Sequence, residues 1–264
     1  MVESFLTLVR IDSESGQEGA LRDYLRERLQ NLGMEVYEDE AGKVLGGEAG
    51  NLIAWKPGEL SGPSIFLAAH MDTVVPGKGV KPVLEGEIIR SSGDTILGGD
   101  DKAGIAVILE ALEVIKERNI PHSPLEVIFT VSEEQGLMGS KHLDFSRVRS
   151  KLGFVLDADG ETGHIVVRAP TQNEFTVTVL GRAAHAGMNP EEGLNAICLA
   201  AYAINHLNIG RIDEETTCNL GVISGGRARN IVADRVELKG EVRSLTPAKL
   251  DAVTGEMMAV FQET

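Results

Sequence analysis

Apolar residues at Phe5, Leu8 and Val9, and again at Leu21, Tyr24, Leu25, Leu29 and Leu32, recur three or four positions apart and predict two amphipathic helices near the N-terminus. Gly33 closes the second, in the place where a glycine ends a helix. The pattern then shortens. Asn51–Trp55, Ser64–Ala69, Leu125–Val131 and Leu152–Leu156 are brief apolar runs of the kind that form buried strands, with a helical stretch from Ala103 to Lys116 among them. Strands alternating with helices predict an α/β sheet covered on both faces.

The period changes near Gln172. Glu174–Leu180 alternates apolar with polar residues, as a half-buried antiparallel strand does, and a helix follows over Gly193–Leu207. Thr217–Ile223 and Arg235–Val242 alternate again, and Thr246-Pro247 opens a helix with a capping threonine and a proline at its first position. The order β-α-β-β-α is an α+β unit one strand short of a ferredoxin-like fold. A domain boundary is therefore placed between residues 1–171 and 172–264.

Composition narrows the function. The chain has 264 residues, 42% of them hydrophobic, enough to bury a sizeable core. With 25 basic and 40 acidic residues its formal charge is −15, which repels phosphate backbones and anionic lipid and argues against nucleic-acid and membrane partners. Cys198 and Cys218 are the only cysteines, too few for a disulfide framework. Cys198 falls in an apolar helix stripe and is expected in the core. No basic, apolar leader opens the chain and no apolar run approaches ~18 residues, so the expectation is a soluble cytoplasmic protein.

Candidate chemistry gathers where strands end. Ile65–Ala69 leads into His70-Met71-Asp72, and open α/β sheets bind ligands beyond the carboxyl ends of their strands. Alternate residues of an extended chain point the same way, so Asp72 can reach the His70 imidazole, fixing its tautomer and raising its basicity as a ligand. An ordinary strand end would look the same. At Gly98-Gly99-Asp100-Asp101 a helix begins, and an aspartate at 100 or 101 would cap it and complement its dipole. Capping accounts for one aspartate and not for the pair. Glu133 and Glu134 follow the Leu125–Val131 strand, where each must be solvated, paired or bound to a cation. Asp157 follows the next strand. Four successive strand ends thus offer His, Asp, Glu-Glu and Asp, an oxygen-rich set with one histidine that suits zinc or manganese.

These segments, His70-Met71-Asp72, Gly98–Gly104, Glu133-Glu134-Gln135-Gly136, Asp157 and His185-Ala186-Gly187, resemble in order the dizinc peptidase superfamily. That superfamily contains peptidase T, glutamate carboxypeptidase, aminoacylase and succinyl-diaminopimelate desuccinylase. The Asp-Asp-Lys-Ala-Gly form at residues 100–104 and the aspartate at 157 are most similar to peptidase T. The resemblance implies a three-layer zinc-peptidase catalytic domain carrying a ferredoxin-like lid through which two subunits dimerise. It further implies that His70 and Asp157 hold one zinc, that Asp100 bridges to a second, and that Glu134 binds the second. Glu133 would be the general base, taking a proton from the attacking water and returning it to the leaving amine, with Asp72 orienting His70. A cis peptide would follow Asp100. His185 would reach the partner subunit's site and steady the oxyanion, while Asn230 and Arg243 resemble substrate-gripping positions. A loop histidine, a turn asparagine and a strand-surface arginine are the plain alternatives for these three.

The activity implied is hydrolysis of short peptides, as by a tripeptide aminopeptidase, with Mn2+ or Co2+ able to replace zinc. A carboxypeptidase or an N-acyl amino acid deacylase is the alternative within the superfamily. The family's chain continues past its lid, completes the catalytic sheet and supplies a last histidine to the second zinc. His122, His142, His164 and His206 match no motif. The resemblance therefore implies a C-terminally shortened chain, and a non-catalytic metal- or partner-binding protein is the alternative of a different class.

Overall fold

Leu21, Leu25 and Leu29 lie one turn apart and are wholly buried, which sets the face that the second helix turns inward. In the computed structural model, which describes all 264 residues, the chain forms two units, Met1–Glu161 and Thr162–Thr264. The first contains α1 (Val2–Val9), α2 (Gly19–Asn31), β1 (Glu35–Glu38), α3 (Ala41–Leu45), β2 (Leu52–Lys56), β3 (Ile65–His70), β4 (Pro82–Glu85), β5 (Ile88–Ser91), α4 (Gly99–Glu117), β6 (Leu125–Thr130), α5 (Met138–Lys141) and β7 (Leu152–Val155). Five strands make one sheet in the order β1-β2-β6-β3-β7, with β3 parallel to both β6 and β7. The β4–β5 hairpin stands apart.

The core lies on one face of that sheet. Leu8 of α1, the leucines of α2, and Ile105, Ile108, Leu109 and Leu112 of α4 pack with Leu52, Ala54, Val127 and Phe129, which are alternate residues of β2 and β6. The opposite face departs from the expected two-sided cover. There Phe66, Ala68, Ile128 and Val155, with Leu143 and Phe145 from the segment after α5, line an open hollow of about 330 Å³. The Leu152–Leu156 run, expected to be a buried strand, holds the sheet edge beside β3, with Leu152, Phe154 and Val155 exposed. Apolar content alone does not distinguish a central strand from an edge one.

The second unit contains β8 (Thr171–Leu180), α6 (Ala196–Asn205), β9 (Gly210–Arg211), β10 (Thr216–Gly225), β11 (Arg235–Ser244) and α7 (Pro247–Glu263). Its antiparallel sheet runs β8-β11-β10-β9, and the β8-β11-β10 order with two helices is the arrangement a ferredoxin-like β-α-β-β-α unit takes. Ala196 and Ala200 of α6 cover Val236 and Leu238, and Leu250 and Met257 of α7 cover Cys218 and Val242. Cys198 is exposed, against expectation, because α6 turns Ala196, Ala200 and Ala203 inward; Cys218 is the buried thiol. No helix is long and apolar enough to cross a membrane.

Candidate metal centre

Parallel pairing brings the chemistry to one edge. His70 ends β3 opposite Thr130 of β6, so Glu133 and Glu134 leave the sheet beside it. On the other side Ala68 pairs with Val155, and Asp157 follows two residues later. Asp100 arrives differently. It precedes the regular turns of α4 after the β4–β5 hairpin, so three strand ends and one helix start, rather than four strand ends, build the site. The Asp100–Asp101 peptide is cis. Gly104 lets α4 approach this closely, since a Cβ there would sit 2.3 Å from Asp101 Oδ1 and 2.7 Å from the Leu156 carbonyl.

The five predicted ligands and base converge. His70, Glu133 and Asp157 form one group, and His70, Asp100 and Glu134 another, each with its donor atoms within 4.8 Å of one another. His70 Nε2 lies 3.0 Å from Asp100 Oδ1 and 3.7 Å from Asp157 Oδ1. The imidazole is buried, only 2% exposed, whereas the Asp100 carboxylate is 72% exposed. Oxygen donors surrounding a single imidazole suit a hard or borderline divalent cation, and the residues present fit such an ion.

Asp72 does more than the sequence suggested. Its backbone carbonyl, 2.9 Å from His70 Nδ1, is the nearer partner of the ring, while its carboxylate stands 3.4 Å from that nitrogen. The carboxylate instead accepts the Ser15 hydroxyl at 2.7 Å and the N–H groups of Glu133 and Glu134 at 2.8 and 3.1 Å. Asp72 therefore positions both glutamates as well as the histidine. Asp101, not Asp100, takes the capping role: it accepts the Gly104 N–H at 3.1 Å and the His70 N–H at 3.3 Å.

Electrostatics mark the cluster as short of positive charge. Burial pushes Asp101 up to about 7, with the Asp157 charge adding to it. Burial likewise raises Asp157 to about 6, against the pull of His70 and with the push of Asp100. Burial opposes the charged imidazole, but Asp72, Asp100 and Asp157 outweigh it and carry His70 up to about 10. Glu134 is raised by burial and by Asp100.

The remaining predicted residues lie in the second unit. His185 and Asn230 are exposed neighbours: His185 pairs with Ile231 across an isolated bridge, and the Asn230 carbonyl accepts the Ala186 N–H at 3.0 Å. Arg243 stands apart on β11, its guanidinium bound to both carboxylate oxygens of Glu241 at 2.8 and 3.0 Å.

Sequence reasoning passed over Lys102, Ser15, Glu18 and Asn51. Lys102 is almost wholly buried, donates to the Ile11 carbonyl at 2.7 Å, and is held down at about 8 by that burial. Its only signal in the sequence was a lysine at the opening of a core-facing helix.

Known proteins resemble the chain over its whole length. Residues 51–192 match the family model described as Peptidase family M28, and residues 171–264 match the one described as Peptidase dimerisation domain. The chain is 47% identical to the uncharacterized protein YqjE of Bacillus subtilis (strain 168), covering 100% of this chain and 71% of that protein. A crystal structure of aminopeptidase PepT from Bacillus cereus ATCC 10987 is 47% identical and superposes with a TM-score of 0.92, covering 98% of this chain and 70% of that one. A tripeptidase from Staphylococcus aureus subsp. aureus mu50 is 44% identical, with a TM-score of 0.95 over the same shares of the two chains, 98% and 70%.

Proposed function

The chain belongs to the peptidase T (PepT) family and is a hydrolase of peptides, and we propose that it cleaves short peptides from the amino end with two zinc ions. The observation that carries this reading is the convergence of His70, Asp100, Glu133, Glu134 and Asp157 at one sheet edge with too little positive charge to balance them. His70, Asp157 and Asp100 would hold one ion, and Asp100 with Glu134 would contribute to the other. When bound, the ions supply Lewis acidity toward water and toward the scissile carbonyl.

Glu133 takes the proton from the attacking water and delivers it to the leaving amine. Its backbone is fixed for that task by the bond from its N–H to Asp72. His185, exposed beside Asn230, would stabilise the developing oxyanion in the partner's site. Arg243 would grip a substrate carboxylate only by exchanging it for Glu241, a like-for-like replacement. Homodimerisation through residues 172–264 is supported by α6, whose outer face exposes Ile197 and Tyr202, the latter 61% exposed. A cytoplasmic setting is supported by two thiols that are both free.

A substrate panel tests the reading. Zinc-loaded protein is offered free-amine tripeptides, N-acyl amino acids and N-blocked peptides, with and without a chelator. Chelator-sensitive cleavage of the free-amine tripeptides is expected. Cleavage confined to the N-acyl substrates would reassign the specificity, and turnover that survives the chelator would remove the metal from the account.

A further inference from the structure

Glu18 is wholly buried just ahead of α2, and a buried carboxylate calls for partners. It does not cap its own helix, for no N–H of α2 bonds to its side chain. Its Oε1 turns the other way, accepting N–H bonds from Gly16 at 3.0 Å and Ser132 at 3.1 Å, with the Ser132 hydroxyl at 3.4 Å. The other oxygen, Oε2, is buried without a partner. A residue kept only for local stability would be expected to satisfy both oxygens or cap its helix.

Ser132 explains the direction. Its φ of 49° lies in the left-handed region, which a serine adopts only when its surroundings impose it. It opens the turn that delivers Glu133 and Glu134. Two further side chains hold the same turn. Asp72 accepts the N–H groups of both glutamates, and Asn51 accepts the Val131 N–H at 3.0 Å while donating to the Gly139 carbonyl at 2.9 Å. The turn is thus held at its entry, its middle and its exit, and Glu18 provides the grip on its strained residue.

We propose that Glu18 is a positioning residue for the Glu133–Glu134 pair: by holding Ser132 in its left-handed turn it sets where the two carboxylates meet His70, Asp100 and Asp157. This rests on the metal-hydrolase reading above. Outer groups that fix ligand geometry alter metal affinity by about 10- to 100-fold when removed.

The test compares Glu18→Met, which keeps side-chain length and removes the acceptor, with Glu18→Gln, which keeps an acceptor oxygen. Co2+ is titrated into the metal-free chain and followed by its visible absorption; kcat and KM are then measured on a tripeptide with Zn2+ bound. Glu18→Met should weaken Co2+ binding about 10- to 100-fold, change the band shape and lower kcat with little change in KM. Glu18→Gln should restore affinity, spectrum and kcat. A purely structural Glu18 would lower the melting midpoint of the methionine variant and leave the Co2+ affinity and spectrum of the folded protein unchanged, which overturns the proposal. Should Glu18→Met fail to fold, Glu18→Asp, with its carboxylate drawn back by one methylene, is read by the same criteria. A native chain that binds no Co2+ removes the metal site itself and the proposal with it; native binding matched by the variants removes only the role of Glu18.

Discussion

Two carboxylate clusters in this chain look alike on paper and differ in charge balance. In the second unit, Asp213 and Glu215 share the Lys249 ammonium, at 2.9 and 3.4 Å, and Glu215 also accepts the Thr246 hydroxyl at 2.8 Å. Lys249 and neighbouring hydrogen bonds hold Asp213 down at about 2, and Thr246 and Lys249 lower Glu215 as well. In the first unit, Asp100, Glu133, Glu134 and Asp157 surround one imidazole, and burial drives Asp101 and Asp157 up to about 7 and 6. The first of these clusters is complete as it stands. The second gathers four carboxylates around one buried imidazole with no lysine or arginine to share, a donor set that suits a divalent cation.

The largest expected effect breaks that comparison at its functional end. Glu133→Gln should lower kcat by about 10²- to 10⁴-fold while Co2+ affinity stays near native, because a proton carrier is lost and a ligand is not. Loss of the metal instead would make Glu133 a ligand alongside His70 and Asp157, the grouping that the geometry also permits. Next comes Asp72→Ala, which strips the partner from two backbone N–H groups and one hydroxyl. These donors are part-buried, so leaving them unpaired costs less than the roughly 1–3 kcal/mol of a fully buried group, and thermal unfolding should show a drop together with weaker metal binding.

Saturating cation should sharpen the contrast. At a free concentration of about 100 times Kd, a bound ion stabilises the unit that holds it by about 2.7 kcal/mol. Hydrogen exchange should therefore slow in residues 1–161 and not in the β10–β11 ladder. The smallest effect belongs to the balanced cluster. Asp213 is held below its unfolded value, so its contribution is present above about pH 4 and is lost as pH falls toward 2. Lys249→Ala should lower the melting midpoint slightly at pH 6, by less in high salt, and by less again as pH falls toward 2.

The site was more legible in the sequence than its supports. His70, Glu133 and Asp157 could be placed because parallel apolar strands deliver whatever follows them to the same edge. The backbone contact from Asp72 to His70 and the grip of Glu18 on Ser132 join residues 2 and 114 positions apart, and no periodicity records such bonds. The edge position of β7 escaped for a related reason. Its Leu152-Gly153-Phe154-Val155 is as apolar as a central strand, and only pairing reveals that one side is free. In α6, nine of the ten residues of Ala196–Asn205 are Ala, Ile, Leu, Cys or Tyr and only Asn205 is clearly polar, so composition does not choose the inward face, and Cys198 lies on the side opposite to the one expected.

Anomalous diffraction at the zinc edge from zinc-soaked crystals bears most directly on the central claim. The account predicts density about 2.0–2.2 Å from His70 Nε2 and from carboxylate oxygens of Asp100 and Asp157, with Glu134 beside a second peak. Zinc bound only elsewhere on the surface, with His70 and its carboxylates left without an ion, would contradict it.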